Sequence, residues 1–199
     1  MILVVAAMKE EIKEIIQNEL PTVKVILSGI GKVNAAQSLA EAIAKYHVDA
    51  IYNLGFAGAT YPYQVGDVVM IEEAAYHDFD LTLFGYAKGQ VPGYPASFFS
   101  DDKLKELVRL KFPNIKSGKL FTGDYFMTEV KKESYLADME GTALYQVAHK
   151  KQLPIISIKI ISDVIGMDDH YQEYKKFESS VGAIVLKNIF LKLFLEVQE

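Results

Sequence analysis

Short runs of β-branched and aliphatic residues alternate along this chain with stretches whose apolar positions recur at helical spacing. Ile2–Ala6, Val23–Leu27, Ala50–Leu54, Val65–Glu72, Lys116–Thr122 and Ile155–Ile161 have the length and composition of strands. Lys9–Gln17 reads as a helix with Ile12, Ile15 and Ile16 on one face, and Lys32–Tyr46 as a second, where Val33, Ala36, Leu39, Ala40 and Ile43 repeat. Ser100 is placed to cap a helix that runs to about Phe112 and stops before Pro113, with Asp101 and Asp102 near its positive end. Glu140–Lys150 and Phe177–Val197 complete the helices, the last burying Val181, Ile184, Val185, Ile189 and Leu193. Between Tyr76 and Phe99 lies a long aromatic loop punctuated by Gly85, Gly89, Pro92, Gly93 and Pro95; loops of that length in a compact domain are usually functional or disordered. The alternation predicts an α/β fold on a largely parallel sheet.

Composition narrows the classes. At 199 residues, 50% of them hydrophobic, the chain is long enough for one sizeable core, so a single domain over 1–199 is expected. A formal net charge of −5 with no basic run argues against nucleic acid and anionic membranes as partners. Cysteine is absent, which removes disulfides and a thiol nucleophile. No basic residues precede the apolar start, and Glu10 and Glu11 follow it, so the start is expected to be a buried strand rather than a targeting segment. No apolar run approaches the roughly 18 to 20 residues that span a bilayer. A cytoplasmic protein is expected.

Ligands of open α/β sheets bind beyond the carboxyl ends of the strands. Ser28–Gly31, Gly55–Gly58, Thr122–Asp124 and Ser162-Asp163 all fall at such ends. Asp163 closes an apolar strand, where burial raises a carboxyl pKa and suits general-acid work; it could equally be a turn or cap residue. Glu140 at a helix start is either a site acid or a charge favoured by the helix dipole, and Glu11 either a site acid or a solvated side chain. The glycine turns lack both the dinucleotide fingerprint and the P-loop ending. With four His and no Cys, no metal site is expected, and His77-Asp78 reads as structural. The aromatics of Tyr76–Phe99 suit a subunit interface or a ligand pocket.

Taken in order, several segments resemble the bacterial 5′-methylthioadenosine/S-adenosylhomocysteine nucleosidases of the purine nucleoside phosphorylase superfamily. They are Ala7-Met8-Lys9-Glu10-Glu11, Ser28-Gly29-Ile30-Gly31-Lys32-Val33, Val65-Gly66-Asp67-Val68-Val69, Tyr76-His77-Asp78, Phe84-Gly85-Tyr86, Gly89-Gln90-Val91-Pro92-Gly93, Thr122-Gly123-Asp124-Tyr125-Phe126, Met139-Glu140 and Ile161-Ser162-Asp163. The resemblance implies a three-layer α/β sandwich whose mixed, largely parallel sheet is flanked by helices. It implies hydrolysis of the N-glycosidic bond, with Asp163 serving N7 of adenine, Glu11 the attacking water and Glu140 the ribose hydroxyls over Met139. Phe126 would stack on adenine, the Met127 backbone would read its edge, and Ser162 would be a further substrate-binding residue. Met8, Ile30 and Tyr174 would flank the 5′ substituent, and Leu81, Phe84 and Pro92 would reach that pocket from a second subunit of a homodimer. No cofactor or metal is implied.

Two positions depart from the family pattern. Phe56 stands where a serine is usual and Lys159 where an arginine is usual, both near the attacking water in the family. Lysine keeps the charge but loses the planar fork of donors. The Gly55–Ala59 stretch is also similar to that of futalosine hydrolases, so a futalosine or aminodeoxyfutalosine nucleosidase is one alternative. Phosphorolysis is another, set back by the chain having one arginine, Arg109, on an expected surface helix. A nucleoside-binding protein without turnover is the alternative outside enzymology.

Overall fold

The structure is a computed structural model that describes residues 1–15, 20–130, 133–167, 169–179 and 181–195. Its elements run β1 (Ile2–Ala6), α1 (Lys9–Ile12), β2 (Val23–Leu27), α2 (Lys32–Lys45), β3 (Ala50–Ala59), β4 (Val68–Tyr76), β5 (Phe98–Phe99), α3 (Asp102–Lys111), β6 (Lys116–Thr122), β7 (Leu136–Asp138), α4 (Gly141–Lys151), β8 (Ile155–Val164), α5 (His170–Ser179) and α6 (Gly182–Phe194). A short 3₁₀ turn, Thr82–Phe84, lies in the long loop.

β1 sits between β2 and β3, parallel to both. β3 continues parallel to β8 and, at its far end, antiparallel to β7. β8 runs antiparallel to β4, β4 parallel to β6, and β6 parallel to β7. The pairings β3–β8–β4–β6–β7 therefore close on themselves, with β2 and β1 extending the sheet from β3 and β5 from β4. The sheet is mixed with parallel pairing predominant, as expected. Its central strands are buried on both faces, which is why Ile155–Ile161 is isoleucine on both faces apart from Ser157 and Lys159.

Two hydrophobic clusters cover the faces. Ala35, Leu39 and Ala42 of α2 and Ala143, Leu144 and Ala148 of α4 close one side. Leu104 and Val108 of α3, Phe177 of α5, and Leu186, Ile189 and Phe190 of α6 close the other. This is the helix–sheet–helix layering implied by the resemblance. Among the described residues no helix is long and apolar enough to cross a membrane.

Several expected boundaries move. The first helix ends as α-helix at Ile12 and continues as turn; the expected Ile16 and Gln17 lie outside the described residues. The expected strand Val65–Glu72 is shifted to Val68–Tyr76, and β3 and β8 each run several residues further than their apolar cores suggest. The helix expected to begin with Ser100 as cap is capped by Asp101, whose side chain accepts from the Leu104 amide at 3.1 Å; Ser100 turns inward and donates to the Ile71 carbonyl. The single closing helix expected over Phe177–Val197 is two helices, α5 and α6, and its expected end at Glu196 and Val197 lies outside the described residues.

Candidate active site

The carboxyl ends of β1, β2, β3, β6, β7 and β8 converge on one cavity of about 250 Å³. It opens between the α1 turn, the loop after β6 and α5. Glu11, Glu140 and Asp163 all line it, although 129 positions separate Glu11 from Glu140.

Glu11 is buried, only 3% exposed, and its carboxylate is fixed by backbone alone. Oε2 accepts from the Ala7 and Met8 amides at 2.8 and 2.9 Å, and Oε1 from the Phe56 amide at 2.8 Å. The approach requires glycine at position 55, where a Cβ would stand 2.6 Å from Glu11 Oε1. Burial pushes its pKa up, against the pull of the Lys159 charge and the three amides.

Asp163 is placed by an irregularity. β3 and β8 pair in register as far as Ala57 and Ile161, but Gly58 lies opposite Asp163, so Ser162 is an extra residue on β8. A bulge of this kind re-aims the side chain that follows it. Ser162 Oγ donates to Asp163 Oδ1 at 2.7 Å, and Oδ2 faces Gly58, where a Cβ would be 2.9 Å away. The two glycines of Gly55–Gly58 thus each make room for one acid.

Glu140 directly precedes α4, and its Oε1 accepts from the Gly31 amide at 2.9 Å. Burial, with the Asp138 charge, pushes its pKa up to about 7, while Lys159 and the Gly31 amide pull the other way. Lys159 is itself buried and pairs with Asp138 at 2.9 Å. Burial would lower its pKa, but Asp138, Glu11 and Glu140 outweigh that and hold it above the ordinary lysine value. One ammonium therefore faces three carboxyl groups, and their oxygens are fixed at this end of the cavity. Such a site favours a cation in its centre.

The remaining expected residues divide in two. Met8, Ile30, Phe126, Met127, Met139, Ser162 and Tyr174 line the cavity, and Tyr174 Oη, which donates to Glu178 Oε1 at 2.9 Å, lies 3.4 Å from Met8 Sδ. Leu81, Phe84 and Pro92 do not line it in this chain; Phe84 is 75% exposed in the long loop. Phe56 lines the cavity, but its ring packs edge-on against Phe177 at 5.4 Å between centroids and fills the space beside Gly182, where a Cβ would meet it at 2.5 Å. Its amide, not its side chain, serves Glu11.

Sequence reasoning missed Asp138, which accepts from Thr122 Oγ1 at 2.6 Å and the Gly141 amide at 3.0 Å as well as from Lys159. It also missed Tyr125, Tyr171 and Lys175 at the cavity wall. The signal for Asp138 lay in the pair Asp138 and Glu140, two acids flanking Met139 just before a helix. His77 is buried with its ring 4.7 Å from that of Tyr125, beneath Gly123. Arg109, exposed on α3, pairs with Glu72 at 2.9 Å, away from the cavity.

The family model of the phosphorylase superfamily matches residues 9–192. A 5′-methylthioadenosine/S-adenosylhomocysteine nucleosidase of Bacillus subtilis is 35% identical over 84% of this chain and 87% of its own length. The like-named protein of Buchnera aphidicola is 38% identical over 86% of this chain and 77% of its own. Among solved structures, a nucleosidase of that name from S. pneumoniae, with a transition-state inhibitor, superposes at a TM-score of 0.86 with 31% identity, covering 96% of this chain and 97% of that one.

Proposed function

The chain belongs to the 5′-methylthioadenosine/S-adenosylhomocysteine nucleosidases of the phosphorylase superfamily, and on that premise we propose that it hydrolyses the N-glycosidic bond of both nucleosides to adenine and a 5-thio-substituted ribose. The observation that carries this reading is the opening of Glu11, Glu140 and Asp163 into one cavity whose other walls are mostly apolar and aromatic.

The chemistry follows from the placement. Adenine lies between Phe126 and the Asp163 side, with the Met127 backbone on its edge. Asp163 delivers a proton to N7, so the purine that takes the electron pair of the breaking C1′–N9 bond departs as neutral adenine. The sugar left behind is oxocarbenium-like. Glu140 holds its hydroxyls, and the carboxylates beside it stabilise the positive charge. Water adds to C1′ and gives its proton to Glu11, whose raised pKa makes it a better base than an exposed glutamate. Met8, Ile30 and Tyr174 receive the 5′ substituent. Phe56 in place of serine is compatible with this scheme because only its amide is asked to act on Glu11. Water rather than phosphate is the nucleophile, since the single arginine is engaged elsewhere.

The proposal includes a homodimer in which Leu81, Phe84 and Pro92 of one subunit complete the neighbour's site. A cytoplasmic location is part of the same reading. Incubation with methylthioadenosine, S-adenosylhomocysteine, adenosine and aminodeoxyfutalosine, with and without phosphate, tests it. Free adenine from the two thio-nucleosides, independent of phosphate, is expected. Phosphate-dependent release, preference for aminodeoxyfutalosine, or binding without release would each replace this reading with the corresponding alternative.

A further inference from the structure

Glu140 depends on one amide outside its own element, that of Gly31. Gly31 has φ of 95° and is the residue before α2. α2 has no side-chain cap of its own at that end. The cap comes instead from the loop after β6: Asp124 Oδ1 accepts from the Lys32 amide at 2.8 Å. Lys32 Nζ then reaches Asp78 Oδ2 at 2.6 Å and Asp124 Oδ2 at 3.5 Å, and the Asp124 amide donates to the same Asp78 oxygen at 2.9 Å. The Lys32 ammonium also lies 5.5 Å over the Tyr76 ring. Burial alone would raise the Asp78 pKa, but the Lys32 ammonium and the Asp124 amide hold it below the ordinary carboxylate value.

Three segments meet in this clasp: the end of β4, the base-facing loop that continues into Phe126 and Met127, and the turn whose Gly31 amide holds Glu140. We propose that Lys32, Asp78 and Asp124 are positioning residues that fix the Gly31 amide on Glu140 and so set how strongly the site grips the ribose hydroxyls. None of the three lines the cavity, so their effect passes through Gly31. The inference rests on the reading of Glu140 as the ribose-holding group.

The test compares kcat/KM for 5′-methylthioadenosine with that for its 2′-deoxy analogue. Asp124→Ala removes the cap and one arm of the clasp; Lys32→Met removes the ammonium arm alone and keeps the test decisive if Asp124→Ala does not fold. Each variant is expected to lose about tenfold on the ribonucleoside and to stay within about twofold on the deoxy analogue, so discrimination shrinks toward that of Glu140→Gln. Lys32→Arg, which keeps the charge, is expected to retain most of the discrimination. Equal losses on both substrates, or none, would overturn the clasp as a positioning device. Should Glu140→Gln itself leave discrimination at the wild-type level, the ribose role of Glu140 fails instead.

Discussion

At the scale of single residues, the site is a problem of holding like charges together in a dry place. Glu140 retains its proton to about pH 7 in the folded protein, against an ordinary value of 4.5. The fold therefore binds that proton more tightly than the unfolded chain does. The stability gained is fully present below pH 4.5 and is lost as pH rises through about 7. Thermal melts of the ligand-free wild type are expected to fall across that window, and Glu140→Gln should flatten the fall. An unchanged slope in the variant would assign the titration to another group. Asp163 stood out in the sequence by closing an apolar strand, whereas Glu11 and Glu140 stood out only as members of recognisable segments. Nothing in the spacing of Glu11, Glu140 and Asp163 says that they meet, because strand pairing, not sequence distance, brings them together. The glycines at 55 and 58 did carry physical information: each stands where a carboxylate needs the space of a side chain.

At the scale of elements, apolar period and β-branched content located the longer strands and helices, and burial on both faces explains why β8 was so easy to place. What escaped were elements too short to show a period, β5 and β7, and the joint between α5 and α6. The apolar stripe runs through that joint without a proline to mark it. Phe177 and Gly182, on either side of that joint, pack against the Phe56 ring from β3. The Phe56 ring is thus a packing group between β3 and the two closing helices. Phe56→Ser is expected to cost about 3 kcal/mol of stability, as for other large-to-small core changes. It should also weaken binding of the 5′ substituent more than binding of adenine, because α5 brings Tyr171 and Tyr174 to the cavity. Chemical denaturation and inhibition by adenine against methylthioadenosine analogues measure the two effects; a variant as stable as wild type would mean that the ring does not secure the joint.

At the scale of the whole molecule, the long loop remains the part least explained by this chain alone. Leu83 is 96% exposed and Phe84 75%, and Pro92 of the same loop is exposed as well. An exposed apolar group of this kind is expected to be covered by another surface. The homodimer proposed above supplies it, and the aromatic content of Tyr76–Phe99 was the feature of the sequence that suggested an interface. Phe84→Asp is expected to shift the protein to monomer in sedimentation analysis and to raise KM for 5′-substituted nucleosides. A wild-type protein that sediments as a monomer while turning over normally would remove the second subunit from the site.

The central claim is that water-driven release of adenine passes through Asp163 and Glu11. It is tested most directly by adenine release from methylthioadenosine in phosphate-free buffer, comparing wild type with Asp163→Asn and Glu11→Gln after circular dichroism has established that both variants are folded. Turnover is predicted to fall at least about 100-fold in each, the scale of a lost proton-transfer group. Near-wild-type turnover in either folded variant would contradict the role given to that residue.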